Sequence, residues 1–320
     1  MTERSAPGPE LCFLKIGSRG SQLALWQANH VADRLRDRGH EVSIEIIRTS
    51  GDAMQHLTFA QVGASVPKGM FTKEIEEALY DRRIDLAVHS LKDLPTSLEE
   101  PFTIAAIPAR ADARDAFVSI KYESFAALPS GARIGTSSVR RQAQLRATRS
   151  DLGYVEFRGN VDTRLRKLSE DQADAIILAS AGLERLGRTE FLRERFPALV
   201  LCPAAGQGAL AIETRADDPP TMHALAFLDD PATRFAVTAE RAALAALGGG
   251  CQVPIGIYCE PSAEGFTITG AIASADGQQH VRVALDHQGA ADPGALGKRL
   301  AVRLVDQGAG SLVGAIVPRD

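Results

Sequence analysis

Cys251 stands behind a run of three glycines at 248–250, where a predicted long helix gives way to a predicted strand. A buried structural cysteine normally lies inside a packed element, whereas a glycine turn lets a bulky group approach closely. No histidine lies nearby in the sequence to act as a general base, so a protease-like nucleophile is poorly supported. Covalent attachment of a cofactor to this thiol fits better, and Cys12, Cys202 and Cys259 have no comparable setting.

Lys92 and Asp93 come soon after the apolar run at 86–88, which has the composition of a buried strand. A charged pair just beyond such a strand lies at the edge of a sheet, where α/β proteins bind ligands. Two interpretations are open. The two residues form a surface ion pair, or Asp93 stabilises a cationic intermediate while Lys92 binds a carboxylate.

Arginine recurs where predicted strands end and predicted helices begin. The guanidinium fork matches the oxygens of carboxylate and phosphate groups, and the N–H groups at a helix start attract the same anions. The residues in question are Arg19, Arg140, Arg141, Arg158, Arg164 and Arg185, together with hydroxyl groups that can cap the helices at Ser18 or Ser21 and at Ser138. Because adjacent helical residues point about 100° apart, we expect Arg140 and Arg141 to bind different anionic groups.

Several of these guanidinium groups would converge on one cleft, because the carboxyl ends of strands in one sheet meet at a common edge. A cleft of this kind indicates a ligand with several carboxylates, and each charge-assisted hydrogen bond would contribute about 1.5–3 kcal/mol. The structural alternative is a set of solvated, charged helix faces.

Predicted strands and helices alternate through the first two thirds of the chain, which is typical of an α/β architecture. The clearest helices span Ser21 to Arg38, ending at Gly39, and Thr72 to Arg82. The predicted strands lie at 42–46, 86–88, 103–107, 133–135, 155–157 and 175–178.

The length of 320 residues predicts two or three domains. Two proline-containing or glycine-containing connections, 108–114 and 202–208, are interpreted as crossings between two α/β domains. The predicted organisation is a flexible leader at 1–11, a first α/β domain at 12–108 plus 209–229, a second at 114–202, and a C-terminal α+β domain at 231–320. The last contains a helix from Thr233 to Leu247, strands at 252–259, 266–272 and 280–285, and a helix at 293–306.

Composition narrows the class of protein. The net charge of −4 argues against nucleic-acid binding through a global positive field, although 29 Arg stand against 7 Lys. No apolar run reaches the length of about 18 residues that a membrane span needs, and the N-terminus has no signal-peptide core. The four cysteines are scattered without a Cys-x-x-Cys pair, so we expect no disulfide framework, no metal site and a cytoplasmic location.

Six segments, in order along the chain, resemble the porphobilinogen deaminase family, also called hydroxymethylbilane synthase. They are Gly17-Ser18-Arg19-Gly20-Ser21 continuing into Leu23-Ala24-Leu25-Trp26-Gln27-Ala28, His89-Ser90-Leu91-Lys92-Asp93-Leu94-Pro95, Gly135-Thr136-Ser137-Ser138-Val139-Arg140-Arg141, Arg158-Gly159-Asn160-Val161 with Thr163-Arg164, Pro203-Ala204-Ala205-Gly206-Gln207-Gly208, and Gly249-Gly250-Cys251-Gln252-Val253-Pro254-Ile255-Gly256.

The resemblance implies a monomeric transferase of tetrapyrrole and haem biosynthesis. Its first two domains would be built like type II periplasmic binding proteins around a cleft, with a smaller C-terminal α+β domain. A dipyrromethane cofactor would be joined by a thioether to Cys251. Four porphobilinogen molecules would be condensed head to tail on it, each with release of ammonia, and water would then free hydroxymethylbilane.

The resemblance also implies functions for individual residues. Asp93 would be the catalytic carboxylate that stabilises the azafulvene-type cation left by deamination. The implied cofactor-binding residues are Cys251, Lys92, Asp93, Ser138, Arg140, Arg141, Arg164 and Arg185. The implied substrate-binding residues are Arg19, Ser21, Gln27, Lys68 and Arg158.

The sequence departs from the family pattern in two places. In the segment 61–71, Gln61 replaces a usual lysine and three residues are added before Lys68; the resemblance implies that this loop is a lid over the cleft. Gly248 replaces a common acidic residue. No lid contact is assigned to Gln61 and no acidic function to Gly248.

Two other classes of protein are considered. A two-domain binding protein for a polyanionic solute would explain the crossings and the arginines, but not the glycine–cysteine turn or the Lys92–Asp93 pair. An enzyme acting on phosphate esters would need a P-loop or an acidic metal pair, and the sequence shows neither.

Overall fold

The computed structural model describes residues 11–50, 72–249, 254–288 and 292–314. In chain order its strands are β1 (Phe13–Ser18), β2 (Glu41–Ile46), β3 (Leu86–Ser90), β4 (Phe102–Ala106), β5 (Asp115–Val118), β6 (Arg133–Gly135), β7 (Gly153–Val155), β8 (Ala175–Ala179), β9 (Leu192–Arg195), β10 (Leu210–Arg215), β11 (Ile255–Ser262), β12 (Gly265–Ala273) and β13 (His280–Gln288). Its helices are α1 (Gln22–Arg36), α2 (Lys73–Tyr80), α3 (Val139–Thr148), α4 (Val161–Ser169), α5 (Ser180–Arg185), α6 (Pro219–Leu225), α7 (Pro231–Ala246), α8 (Pro293–Leu304) and α9 (Gly310–Gly314).

Two five-stranded sheets share one topology. The first has the order β2-β1-β3-β10-β4 and the second the order β7-β6-β8-β5-β9. In each sheet four strands run in the same direction, and one strand that follows a crossing segment is inserted antiparallel between the third strand and the last. The predicted α/β class, with two similarly built domains, is confirmed.

The smaller C-terminal part is a three-stranded antiparallel sheet, β11-β12-β13, packed against α7 and α8. Ile257 and Ile268 of the sheet are fully buried against Leu296 and Leu300 of α8. The two helices cross closely at Gly297, where a Cβ atom would lie 2.1 Å from the Ala239 carbonyl oxygen. The expected α+β class of this part is confirmed.

The first helix forms where its sequence signals place it. The hydroxyl of Ser21 accepts a hydrogen bond from the Ala24 amide at 3.3 Å and caps α1. Val31 and Leu35 recur at helical spacing and are fully buried. The helix ends before Gly39, whose φ of 90° lies in the left-handed region that glycine tolerates. Of the two serines considered for this cap, Ser21 makes the contact.

Strand β3 reads as a continuous apolar run because both of its faces are covered. Leu86 and Val88 pack in one hydrophobic cluster with residues of α1, and Ala87 packs in another with residues of α2. Strands β1 and β10 flank β3 within the sheet. Beyond Ser90 the chain turns through a short 3-10 helix at Leu91–Asp93. This turn places the predicted charged pair at the carboxyl end of the strand.

One predicted strand is displaced, and four strands were not predicted, namely β1, β5, β9 and β10. Strand β7 ends at Val155 rather than at Phe157, because the Phe157 amide donates to the Ser137 hydroxyl at 2.9 Å and leaves the ladder. Strands β5, β9 and β10 lack a clear apolar alternation. In β10 the buried residues include Glu213, Thr214 and Arg215. This polar composition is not typical of a strand inside a sheet, so the sequence did not indicate one here.

Among the described residues, no helix is both long and apolar enough to span a bilayer. Within the same ranges, no cluster of three or more His, Cys, Asp or Glu side chains is arranged to hold a metal ion.

Candidate active site

A cleft lies at the carboxyl edge of the first sheet. The parallel strands β1 and β3 end side by side there, followed by the start of α1 and by the 3-10 turn. The polar residues that line the cleft are Arg19, Ser21, Gln27, Thr72, His89, Ser90 and Asp93. Four residues singled out from the sequence therefore share one cavity, namely Arg19, Ser21, Gln27 and Asp93.

Gln27 is buried and fixes the two sides of this cleft to each other. Its side-chain amide donates to the Ser90 hydroxyl at 2.8 Å, which joins α1 to the end of β3. The Asp93 side chain remains exposed to the cleft. A fixed, accessible carboxylate beside Arg19 can therefore meet a cationic group on a bound molecule.

The second sheet presents helix starts at its own carboxyl edge. Ser138 caps α3 by accepting from the Arg141 amide at 3.4 Å, and Asn160 caps α4 by accepting from the Thr163 amide at 2.9 Å. Between strand β7 and α4, Gly159 has a φ of 116°, and a Cβ there would lie 2.6 Å from Thr163. Only glycine allows this tight turn.

Arg158 and Arg164 flank that turn. Arg164 donates from Nε to the Gly159 carbonyl at 2.8 Å, and Arg158 pairs with Glu156 at 2.7 Å. Burial lowers the pKa of Arg164 to about 10, aided by repulsion from Arg141, whereas the charge of Asp93 acts in the opposite direction. Arg164 of the second sheet therefore lies within electrostatic range of Asp93 of the first.

Lys92 is the basic neighbour of Asp93 on the 3-10 turn. Burial lowers the pKa of Lys92 to about 8, opposed by the adjacent Asp93 and reinforced by Arg141. The Lys92 ammonium also donates to the Gln207 side chain at 3.4 Å. The two residues are not a simple surface ion pair, because Lys92 points into a partly buried cationic region.

Arg185 lies where the two α/β units meet. Its guanidinium donates to the Gly208 carbonyl at 2.7 Å and stacks over the Trp26 ring of α1, 5.7 Å from the ring centroid. Burial lowers the pKa of Arg185 to about 10. Among the described residues, no carboxylate forms an ion pair with Arg164 or Arg185. These two cations are thus available to an anionic ligand.

Arg140 and Arg141 share one carboxylate within the protein, and the expectation that they bind different anionic groups of a ligand stays a prediction. Both are buried, and both bind Asp115: Arg140 Nη1 lies 2.8 Å from Oδ2, while Arg141 Nε and Nη2 lie 2.9 and 2.6 Å from Oδ1. The long side chains reach one carboxylate although their Cα–Cβ vectors diverge. The two arginines hold the pKa of Asp115 well below its usual range, despite its complete burial.

Asp115, the buried carboxylate of this network, was not singled out from the sequence. It opens strand β5, directly after the first crossing segment, and it also accepts from the Gln207 side chain at 3.0 Å. Gln207 belongs to the second crossing and contacts Lys92, so the network spans both sheets. In the sequence, a single carboxylate directly before the apolar run 116–118 could have indicated a buried, paired charge.

Glu240 of α7 forms a second buried network that the sequence did not reveal. Its carboxylate accepts from Arg110 at 2.6 and 3.1 Å, from the Gly206 amide at 2.6 Å and from the Cys259 amide at 2.8 Å. Arg110 belongs to the first crossing and Gly206 to the second. Glu240 therefore connects both crossing segments to the C-terminal sheet.

The predicted anchor Cys251 and the predicted substrate contact Lys68 lie outside the described residues, as does the segment 61–71. Of the described cysteines, Cys202 and Cys259 are buried, and burial raises the pKa of Cys202 to about 12. Burial also raises the pKa of Cys259, so neither thiol is set up as a nucleophile.

Two family models match the chain. The model described as "Porphobilinogen deaminase, dipyromethane cofactor binding domain" matches residues 14–223, and "Porphobilinogen deaminase, C-terminal domain" matches residues 234–306. A protein named porphobilinogen deaminase from Roseiflexus sp. (strain RS-1) is 50% identical over 302 residues, covering 94% of this chain and 98% of that protein. One of the same name from Geobacter sulfurreducens is 47% identical over 309 residues, covering 96% of each.

Solved structures of binding proteins are also similar in part. The methionine-binding protein MetQ aligns with a TM-score of 0.43 at 13% identity, covering 72% of this chain and 93% of that chain. A putative methionine-binding lipoprotein from Bacillus subtilis aligns with a TM-score of 0.41 at 13% identity, covering 67% and 89%.

Proposed function

The chain belongs to the porphobilinogen deaminase family, and from that premise we propose that its cleft condenses four porphobilinogen molecules head to tail into hydroxymethylbilane, with release of ammonia. One observation carries the proposal at the level of residues. The exposed carboxylate of Asp93 lies within electrostatic range of Arg164, a cation that pairs with no carboxylate among the described residues. Such a site can bind a polycarboxylate and still stabilise positive charge at one point.

The residues present fit a dipyrromethane cofactor, whose pyrrole rings carry acid side chains. Arg164 and Arg185 are partly buried and pair with no carboxylate of the described chain, a situation that favours an anionic ligand. Lys92 and the capped start of α3 at Ser138 add donors on either side. The bound group supplies a covalently held pyrrole on which the chain of rings is extended.

Arg140 and Arg141 belong to the proposed cofactor-binding set with different functions. Within the described chain, Arg140 uses Nη1 alone, for Asp115 and for the Cys202 carbonyl at 2.6 Å, so Nε and Nη2 remain available to a ligand. Arg141 uses all three nitrogens, for Asp115 and for the Ile177 carbonyl at 2.9 Å. Arg140 is therefore the better direct contact, and Arg141 acts through its charge.

Support for Cys251 as the anchor comes from its described neighbours. Five residues further on, Gly256 packs against Cys202, where a Cβ atom would lie 2.4 Å from the carbonyl oxygen. Arg140 donates to that same oxygen. Since five residues of extended chain span at most about 18 Å, a thiol at position 251 is within reach of the cationic cleft.

The carboxylate of Asp93 would lie against the substrate carbon that becomes electron-deficient when the aminomethyl nitrogen departs, and would stabilise the positive charge there. Arg19, Ser21 and Gln27 line the same cavity and would hold the acid side chains of the incoming porphobilinogen. Arg158, on the opposite helix start, and Lys68 complete the proposed substrate contacts. Positioning of this kind lowers the barrier by fixing the reacting atoms in one geometry.

We further propose the domain boundaries predicted from the sequence, a monomeric state and a cytoplasmic location. The two crossing segments, which contact each other through Arg110 and the Gln207 carbonyl at 2.8 Å, support the boundaries at 108–114 and 202–208. Sedimentation of the purified protein should give a single species near its chain mass of 34.1 kDa.

Intact mass together with turnover tests the proposed function. The purified protein should consume porphobilinogen, exceed its sequence mass by two pyrrole units and colour with Ehrlich's reagent. Cys251→Ser should lose the excess mass and the colour, whereas Cys12→Ser, which alters a cysteine remote from the cleft, should keep both. Active wild-type protein without an adduct would reject the anchoring proposal, and protein that ignores porphobilinogen would reject the function.

A further inference from the structure

A buried histidine–carboxylate pair lies directly behind the proposed reaction site. His89 Nε2 lies 2.9 Å from Glu213 Oε2, and the two side chains are 8% and 0% exposed. His89 stands opposite Ala211 and Glu213 opposite Ala87 on the antiparallel strands β3 and β10, so the pair are diagonal neighbours on one face of the sheet. His89 also lines the cleft that contains Asp93.

This pair is poorly explained as a purely structural contact. Its two atoms are close, but neither His89 Nε2 nor either carboxylate oxygen of Glu213 has a well-aligned hydrogen bond within the described chain. Buried carboxylates without hydrogen bonds are costly, and such exceptions call for an explanation. A histidine beside a carboxylate on the wall of a reaction cleft is suited to proton transfer, because an imidazole can both accept and release a proton.

Most of the charged groups near the pair are acidic. Glu76 of α2 packs over the same face, and burial together with the charge of Glu213 raises the pKa of Glu76, while His89 acts in the opposite direction. Glu99 adds a weaker negative charge near Glu76. On the cleft side stand Asp93 and Arg19.

The proposed reaction releases a proton that needs an acceptor. When one porphobilinogen joins the previous one, the carbon–nitrogen bond of its protonated aminomethyl group breaks, and the electron pair of that bond leaves with neutral ammonia. The free ring carbon of the previous porphobilinogen supplies the electron pair of the new carbon–carbon bond. That ring carbon must then lose its proton, so that the C–H electron pair restores the aromatic ring.

Resting on the proposed function, we propose that His89 accepts this proton from the ring carbon and that Glu213 is the positioning residue that orients and stabilises the protonated imidazole. The proton then passes from the imidazole to the departing ammonia, which leaves as ammonium, so that each addition returns His89 to its starting state. Asp93 keeps its charge throughout and continues to stabilise the electron-deficient carbon. In carboxylate–histidine pairs of other enzymes, the histidine likewise transfers the proton and the carboxylate orients and stabilises it.

Isotope effects test this assignment. Holoenzyme is supplied with porphobilinogen carrying deuterium on its free ring carbon, and the isotope effect on kcat is compared among variants. In His89→Gln, whose amide keeps a nitrogen near the Nε2 position but cannot take up a proton, kcat should fall by about 100-fold, the scale of a lost general base. The isotope effect should rise clearly above the wild-type value, because ring deprotonation becomes the slow step. Glu213→Gln should also lower kcat and raise the isotope effect, both to a smaller extent than His89→Gln.

His40→Gln is the matched control. His40 is also a buried histidine, 6% exposed, but it contacts the Cys12 amide away from the cleft. It should leave both kcat and the isotope effect unchanged. Ehrlich colour and thermal unfolding show whether each variant is folded and loaded with cofactor. If His89→Gln does not fold, Glu213→Gln decides the question alone.

An isotope effect that stays at the wild-type value while kcat falls would overturn the proposal, as would near-normal turnover in the folded variants. Failure of the wild-type protein to consume porphobilinogen would instead reject the proposed function. The two failures are thus distinguishable.

Discussion

Asp115 binds Arg140 through one carboxylate oxygen, at 2.8 Å, and Arg141 through the other, at 2.9 and 2.6 Å. All three side chains are buried. The protein therefore holds the two arginines in place before any ligand binds. Because two guanidinium groups share one carboxylate, the three side chains together carry a net positive charge. Preorganised charge of this kind stabilises a bound anion without requiring the side chains to reorganise.

Replacing Asp115 should destabilise the fold. Asp115→Asn leaves two buried guanidinium groups without a counter-charge, so the free energy of unfolding should fall by about 3–5 kcal/mol in urea titrations. Asp171→Asn is the control: Asp171 pairs with Lys121 on the surface, with 61% of its side chain exposed, and should cost less than about 1 kcal/mol.

The stability difference between wild type and Asp115→Asn should also depend on pH. The folded-state pKa of Asp115 is lowered, so its contribution is complete above the unfolded-state pKa of about 3.9 and declines as the pH falls below it. The two urea curves should therefore stay a constant distance apart from pH 5 to 7 and approach each other below about pH 4. A gap that widens in acid would contradict the charged state of Asp115.

Asp93→Asn should keep the cofactor but lose turnover, because a neutral amide of the same shape cannot stabilise developing positive charge. The expected fall in kcat is at least about 100-fold, measured as porphobilinogen consumption. Asp93→Glu retains the charge at a shifted position and should recover part of the activity. Near-normal kcat in the asparagine variant would remove Asp93 from its proposed function.

Arg164→Gln should weaken ligand binding without harming the fold. Loss of one charge-assisted contact of about 1.5–3 kcal/mol corresponds to a fall in kcat/KM of roughly 10- to 100-fold. Stability should be unchanged or slightly higher, since a partly buried cation without a carboxylate partner is removed. Arg166→Gln, at an exposed position of the same helix, should change neither kcat/KM nor the stability of the fold. Equal losses in both variants would indicate a nonspecific charge effect.

Lys92 should titrate near pH 8 in the cofactor-free Cys251→Ser protein. With its folded-state pKa lowered, the ammonium destabilises that protein below about pH 8, and this penalty fades as the pH rises towards 10.5. Reductive methylation with 13C-formaldehyde makes the 7 lysines visible by NMR. One resonance should titrate near pH 8, vanish in Lys92→Arg and move to higher pH when porphobilinogen binds, because a carboxylate favours the ammonium. A normal lysine titration for Lys92 would contradict the burial argument.

Local features were predictable because short segments decide them. Ser21 begins α1 and Gly39 follows its end, and the apolar run at 86–88 forms the core of β3. The Lys92–Asp93 pair follows that strand at the edge of the sheet for the same reason: strand and turn are neighbours in the chain. The α/β alternation, the crossing segments and the family resemblance could all be inferred from the sequence.

The partners of buried charges were not predictable, because they come from distant parts of the chain. Asp115 lies 25 residues before Arg140, and Arg110 lies 130 residues before Glu240. Their strand and helix carry no apolar pattern that marks the contact. The helical angle between Arg140 and Arg141 did not reveal that both side chains are long enough to reach Asp115.

The sequence by itself determined which residue types stand at each strand end and helix start, since those depend on capping, turn chemistry and hydrophobic periodicity over a few residues. Tertiary structure alone decided which of the cations are already neutralised by the protein and which remain for a ligand. It also placed Glu213 behind His89, by pairing β10 antiparallel to β3 after an excursion through a whole second domain. Burial and electrostatic pairing depend on distances in space, and the topology of the chain sets those distances.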